Sequence, residues 1–479
     1  MKNHPLSKKI GLFIGPLLFV TLLFIPFDSI SEKGNFVIAT ASWMISWWIT
    51  EAVSISVTAL LPLILFPLLK VMPVGDVGAN YGSPIVFLFF GGFVLALALE
   101  KVNLHKRIAL NIIKRTGTTP NKVVLGFMIA TAFLSMWISN TASTVVMLPI
   151  AMSVINLLIN DEDGFTKKDQ NFALSVMLGI AFSANAGGIA TVIGTPPNSV
   201  LIGLLENEYN IEISFFKWML IGLPFSIFLI TIIYFVLVKW MFPNTGLNFN
   251  TSKSVIDEEL QKLGKTSPKE KHVIMTFSVI VFLWIFRGPV NSLFPQLGLT
   301  DTIISVAGAI ALFVIPFNLK TGDFILKWND TQKLAWGILI LFGGGLALAK
   351  GMSVSGIVDV VANGISNSSI GILLTASLLI ILMLFMTELM SNVALVAVLA
   401  PVVAGIAMGL EIPILYLLIP VTIASSCAFM LPMATPPNAI VFASGYIKVY
   451  QMARVGIIIN IIAVVMLIAM FKFFIPIVF

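Results

Sequence analysis

The chain has 479 residues, of which 58% are hydrophobic and 10% charged, against roughly 25% charged in a soluble domain, so water is not its main solvent. Its net charge of +6 implies no nucleic-acid partner, because the basic residues sit in short loops between apolar runs, where they act as topology signals. One cysteine, Cys427, and three histidines, His4, His105 and His272, none with a second histidine at ligand spacing, exclude an intrachain disulfide and leave metal-dependent catalysis without support.

A spanning helix needs about 20 apolar residues, and such runs recur from Ile10 to the C-terminus, so the whole chain reads as membrane domain. Lys2, Lys8 and Lys9 precede the first run with no small-residue cleavage site after it, which reads as a retained helix instead of a signal peptide. Runs at roughly 10–27, 36–49, 52–69 and 84–100 give four spans. Trp47-Trp48 suits a membrane boundary, and Glu51, between two spans, reads as an interface or packing residue. From Lys101 to Arg115 five basic residues alternate with Ile108, Leu110, Ile112 and Ile113, as in an amphipathic interfacial helix on the cytoplasmic side. Basic residues at the N-terminus agree with this placement after an even number of crossings.

Two apolar arms, Asn121 to Ile138 and Ala142 to Ile159, meet at Ser139-Asn140-Thr141, which predicts a re-entrant hairpin that returns Asp161 to Gln170 to the cytoplasm. Phe172 to Glu206 is one long apolar segment cut by Gly187-Gly188 and by Gly194-Thr195-Pro196-Pro197-Asn198. Tandem proline lacks amide protons and bars helical geometry on its predecessor, so this helix must be discontinuous. A span near 214–241 then leads to Pro243 to Lys271, a lysine-rich stretch read as a solvated cytoplasmic linker.

After spans near 272–287 and 301–316 the same grammar returns. Phe342-Gly343-Gly344 matches Phe90-Gly91-Gly92, and Ser391-Asn392-Val393 matches Ser139-Asn140-Thr141, both at an offset of 252. Ala434-Thr435-Pro436-Pro437-Asn438 matches the first proline break at an offset of 240. Three motifs repeated in order indicate duplication. The counterpart of the basic interfacial helix, Gly351 to Asn367, has no Lys or Arg and one acid, Asp359, as expected on the opposite side. Lys448 and Arg454 mark a return to the cytoplasm before the last span. The fold class expected is an all-α integral membrane protein of about eleven spans, two re-entrant hairpins and two broken helices in an inverted-topology repeat, N-terminus inside and C-terminus outside.

Unpaired backbone groups at membrane depth cost several kcal/mol each and survive only where protein, water or ligand satisfies them. Helix N-termini converging near the midplane suit an anion, and freed carbonyls suit a small cation. Asn140, Thr141 and Asn392 add neutral donors that hold carboxylate oxygens without a buried Arg or Lys. Glu388 reads as structural, orienting the second tip, since its repeat counterpart is Met136; cation or proton binding is the alternative. No nucleophile, base and orienting group stand at workable spacing, and no phosphate-cradling loop appears, so neither an enzyme nor a primary pump is expected.

The paired Ser-Asn-Thr and Ser-Asn-Val tips, each followed by a Thr-Pro-Pro-Asn break, resemble the divalent anion:sodium symporter family of di- and tricarboxylate carriers, from Trp47 to Asn438. The resemblance implies a homodimer in which a mobile domain rides a fixed scaffold, an elevator mechanism. It implies scaffold at 1–119 and 272–367, a linker at 243–271, and transport-domain halves at 120–242 and 368–479. It implies that Asn140, Thr141, Asn392 and Val393 face the substrate, with Thr195, Pro196, Thr435 and Pro436 near them. One sodium would lie at Ser135, Ser139, Asn140 and the Gly194 carbonyl; a second at Thr387, Met390, Asn392 and the carbonyls of Ala434 and Pro436. Val393 departs from the Ser-Asn-Thr form and removes one hydroxyl. The expected function is secondary transport of a dicarboxylate of the succinate, malate or 2-oxoglutarate class across a bacterial inner membrane with Na+ as coupling ion. The alternatives are sodium-independent exchange, another divalent anion such as citrate or sulfate, and a non-transporting receptor or scaffold.

Overall fold

A computed structural model describes residues 6–25, 27, 29–117, 119–159, 166–244, 252–318, 322–366 and 370–479. Lys2, His4, residues 161–165 of the polar run and Asn367 lie outside the described residues. Helix dominates, because a chain in lipid must satisfy its backbone groups within each segment. Among the described residues six helices are long and apolar enough to cross a membrane: Val74–Lys101, Phe215–Met241, Pro268–Leu293, Trp336–Val354, Asn392–Gly409 and Val449–Val478. Shorter apolar helices, among them Pro120–Ser135 and Ile372–Met386, complete the bundle.

One series of elements occurs twice. Helices Pro84–Lys101 and Trp336–Val354 carry the Phe-Gly-Gly motifs and meet at Phe89 and Phe342, whose rings lie 4.8 Å apart, edge to face. Each is followed by an amphipathic helix, Leu104–Thr116 or Ile357–Ser366. Then come a hairpin, Pro120–Ser135 with Asn140–Ile159 or Ile372–Met386 with Asn392–Gly409, and a broken helix. The first broken helix consists of Lys167–Gly188 and Pro196–Tyr209, the second of Ile414–Ser425 and Pro436–Phe442. Every residue from Phe172 to Gly188 is buried, as expected of a helix that is apolar all round and lies at the centre of its bundle. Tandem prolines open both second pieces at the first helical turn, where a missing N–H costs nothing.

Packing crosses the repeats. The helix after the first break, Pro196–Tyr209, lies against Asn392–Gly409 of the second hairpin, and the helix after the second break, Pro436–Phe442, lies against Asn140–Ile159 of the first. Each hairpin therefore packs on the broken helix of the other half as well as on its own.

Several details differ from the expectation. The third span is split into Ile55–Thr58 and Leu61–Leu68, because Pro62 has no amide proton and its ring crowds the preceding turn. Trp48 is 1% exposed and donates from Nε1 to the Ile55 carbonyl (3.0 Å), at the start of the first of these pieces. Glu51 caps Glu32–Thr50 in the left-handed region, and its exposed carboxylate pairs with Lys8 at 3.3 Å. A small antiparallel ribbon, Pro316–Asn318 with Asp323–Phe324, interrupts the otherwise helical chain.

The stretch read as a linker carries a helix, Ser252–Leu263, docked on the basic interfacial helix. Lys106 pairs with Glu259 and Lys114 with Asp257, both at 2.7 Å, and Arg107 Nε lies 2.5 Å from Glu270. The basic residues that read as a topology signal also hold this helix in place.

Candidate functional site

Each tip is tied to its own broken helix by one buried hydroxyl. In the first half Ser135 Oγ donates to the Ala184 carbonyl (2.7 Å) and lies 2.5 Å from the Asn140 side-chain amide. In the second half Thr387 Oγ1 lies 2.6 Å from the Ser425 carbonyl and 2.7 Å from Asn392 Oδ1. Ser135 and Thr387 are equivalent in the repeat and both fully buried, so the duplication preserved the hydroxyl while allowing the methyl to vary.

The first half gathers main-chain oxygens around Gly194. A side-chain carbon at Gly194 would come within 2.5 Å of the Gly188 carbonyl and 3.0 Å of the Ser135 carbonyl; one at Gly188 would meet Asn140 Oδ1 at 2.5 Å. Only glycine permits this approach. With its amide turned so that the nitrogen faces these acceptors, Asn140 reaches both the Gly194 and Ala184 carbonyls at 3.2 Å. The cluster of carbonyl and hydroxyl oxygens carries no positive side chain, and the opposite turn of the Asn140 amide adds its oxygen to them, a set with the chemistry that hard cations prefer.

The asparagine of each Thr-Pro-Pro-Asn motif closes its break. Asn198 Nδ2 donates to the Thr191 carbonyl (2.8 Å) and reaches that of Ile189 (3.3 Å). Asn438 Nδ2 donates to the carbonyls of Leu431 (3.0 Å) and Ala428 (3.1 Å). Thr191 and Leu431 correspond at the same offset of 240 as the asparagines. An amide offers two donors, which suits it to carbonyls released by an interrupted helix.

Further support differs between the halves. At the first break Thr191 Oγ1 donates to the Met136 carbonyl (2.5 Å) and accepts from the Gly194 amide (3.0 Å), while Trp218 Nε1 donates to the Ile189 carbonyl (3.0 Å). At the second, Glu388 Oε1 accepts from the amides of Phe429 (2.8 Å) and Met430 (2.9 Å) and from Asn460 Nδ2 (2.8 Å), and Oε2 from the Leu431 amide (3.1 Å). Glu388 thus ties the second break to the hairpin arm that leads to the tip.

The tips themselves are accessible: Ser139 and Thr141 are exposed, and Asn140, Ser391, Asn392 and Val393 are half-buried. Thr195 and Thr435 are buried, and Thr435 Oγ1 caps its helix by accepting from the Asn438 amide (3.4 Å). Of the first sodium set, Ser135, Asn140 and Gly194 converge through the contacts above, with Ser139 adjacent as the cap that accepts from the Ala142 amide (3.1 Å). Of the second set, Thr387 and Asn392 converge; Met390 is buried near them in sequence, Ala434 is half-buried, and Pro436, like Pro196 in the first half, opens a helix, at an exposed position. Asn185, Thr191, Trp218 and Asn460 are participants that motif matching passed over. Their signal was a polar or indole group isolated inside an apolar run.

Residues 6–479 match the family described as "Sodium:sulfate symporter transmembrane region". The chain belongs to this family. Among its relatives, a protein of Staphylococcus saprophyticus named sodium-dependent dicarboxylate transporter SdcS is 40% identical, over 99% of this chain and 93% of that one. The protein of the same name from Staphylococcus aureus is 39% identical over all of this chain and 93% of its own length. Two solved transporters share the fold at low identity. The YdaH transporter of Alcanivorax borkumensis is 13% identical with a TM-score of 0.57, covering 84% of this chain and 88% of its own. MtrF of Neisseria gonorrhoeae is 14% identical with a TM-score of 0.53, covering 99% and 96%. The chain is thus a multi-pass membrane protein of the family that the tip and break motifs resembled.

Proposed function

We propose that the chain is a secondary transporter that carries small dicarboxylates, of the succinate, malate and 2-oxoglutarate class, together with sodium. The reading rests on one observation: two hairpin tips, each bonded to an interrupted helix by a buried hydroxyl, present neutral amides beside clustered carbonyls in the middle of an apolar bundle. The names of the two staphylococcal relatives support both the substrate class and the ion.

The charge balance favours coupling. A dianion held at neutral amides in a medium of low dielectric carries a desolvation cost that no side-chain cation here offsets. Two sodium ions would neutralise it, so that the loaded site is electrically balanced as it moves. In this reading Ser135, Ser139, Asn140 and the Gly194 carbonyl hold one ion. Thr387, Met390, Asn392 and the carbonyls of Ala434 and Pro436 hold the other. Asn140, Thr141, Asn392 and Val393 face the carboxylates, with Thr195, Pro196, Thr435 and Pro436 close by. The N-termini of Asn140–Ile159 and Asn392–Gly409 direct partial positive charge toward the same space. Filling the ion sites draws the tips into place and builds the carboxylate contacts, so ion and anion bind as a unit.

The same reading gives eleven spans with the N-terminus cytoplasmic, an inverted repeat, and segments 120–242 and 368–479 moving as one body against 1–119 and 272–367, linked through 243–271, in a homodimer. Uptake of labelled succinate into proteoliposomes tests it. Accumulation driven by an inward sodium gradient and competed by malate is the expected result. Counterflow that ignores sodium would replace symport with exchange. Competition by sulfate but not malate would replace the substrate class.

A further inference from the structure

The bonds that close the two halves share one turn of the helix Lys167–Gly188. The Ala184 carbonyl accepts the Ser135 hydroxyl and so belongs to the first tip. Asn185, the next residue, is 1% exposed and sends its side chain into the other half of the molecule. Its Nδ2 lies 3.0 Å from Thr435 Oγ1, 3.2 Å from the Ala428 carbonyl and 3.4 Å from Asn438 Oδ1. These are the groups that close the second break: Asn438 staples Ala428 and Leu431, and Thr435 caps the helix that follows.

The link runs one way. The offset of 240 pairs Asn185 with Ser425, whose carbonyl accepts the Thr387 hydroxyl of its own tip and whose side chain donates to the Thr422 carbonyl in its own helix (2.7 Å) instead of crossing to the first half. Asn185 is not explained by local packing either. Its Oδ1 is buried without a partner, which costs free energy that an apolar side chain of similar size would avoid. What the amide supplies is the two N–H donors, and both face the second break. The Ala184 carbonyl and the Asn185 nitrogen also belong to one planar peptide unit, so a pull on the first group reorients the backbone that carries the second.

We propose that Asn185 is a positioning residue that couples the two cation sites, passing occupancy at Ser135, Asn140 and Gly194 to the placement of Thr435, Asn438 and Ala428 around the second. The proposal rests on the two-site reading under Proposed function. Coupling of this kind is reciprocal: each ion raises the affinity for the other by the same factor, and the bonded contacts give it a continuous physical route.

The test is a sodium titration of purified protein at constant ionic strength, read by tryptophan fluorescence, since Trp218 bonds directly to the first break. The wild type is expected to respond sigmoidally. Asn185→Ala is expected to respond with a Hill coefficient falling to about one, while Leu178→Ala, a packing change on the same helix, keeps the wild-type coefficient. A wild-type coefficient in folded Asn185→Ala overturns the proposal, and so does an equal fall in Leu178→Ala. Should Asn185→Ala not fold, Asn185→Ser retains one donor; an intermediate coefficient is then expected and an unchanged one overturns the link. A wild type that gives no sodium response at all overturns the functional reading itself.

Discussion

The two interruptions share one asparagine that takes up freed carbonyls and differ in the chemistry of the rest of their support. Between Gly188 and Pro196 the groups left over are chiefly carbonyls, and neutral donors take them: Asn198, Trp218 and the Asn140 amide. Between Ser425 and Pro436 three successive amides, those of Phe429, Met430 and Leu431, point one way, and a carboxylate receives them. Consecutive N–H groups form an anion-binding concavity, and Glu388 fills it from within the protein. What the duplication retained is the requirement that a broken backbone be satisfied; which side chain does so was free to diverge. Position 136 supplies a backbone carbonyl to Thr191, whereas its counterpart 388 supplies a side chain.

This contrast predicts unequal sensitivity. Glu388→Ala would strand the buried Phe429 amide, the half-buried Met430 and Leu431 amides and the Asn460 side chain at once, each unmet donor costing about 1–3 kcal/mol where water cannot reach it. The folded protein is expected to lose most of its thermal stability, measured as the midpoint of unfolding in detergent; Glu388→Gln, which keeps one acceptor oxygen, should recover part of it. A Glu388→Ala midpoint within a few degrees of wild type would erase the distinction between the halves. Thr191→Val removes one donor and leaves the Gly194 amide unmet. A loss of about 1–2 kcal/mol, smaller than for Glu388→Ala, is expected in the same measurement, and a larger loss would reverse the comparison.

A weaker contrast lies outside the membrane. The Lys106 hydrogen bond, followed by that from Lys262, holds the Glu259 carboxyl below its ordinary value. A depressed carboxylate contributes to docking of the helix Ser252–Leu263 above its unfolded pKa, and that contribution disappears as pH falls through the lower folded value. Amide hydrogen exchange of this helix, corrected for the intrinsic pH dependence, should therefore show constant protection from neutral pH down to about pH 5 and loss only in stronger acid. Protection already failing between pH 7 and 6 would assign the docking to other groups.

The repeat was legible because its signals are backbone signals. Tandem proline and paired glycine restrict geometry wherever they occur, and their recurrence at fixed offsets located both breaks and both tips. Ser135 and Asn140 followed from the family resemblance, and the structure joins them. What the sequence could not reveal is which groups a break leaves unpaired, since that depends on where the neighbouring helices arrive. Thus Glu388 could be placed beside the tip but not matched to three amides some 41–43 residues away, and Asn185 carried no mark of its partners 243–253 residues on. The split at Pro62 was present in the residues, but a continuous apolar run masked it. Docking of Ser252–Leu263 is not legible in the sequence, because charges that pair across two helices look the same in a sequence as charges that face water or lipid headgroups.

In the proposed mechanism the two tips make one site, each contributing half. Sodium-driven succinate uptake by Asn140→Ala and Asn392→Ala, reconstituted separately with unfolding midpoints close to wild type, addresses it directly. Uptake should be abolished in both variants, since neither half alone holds ion and carboxylate together. Wild-type rates in either one would show that its tip lies outside the site.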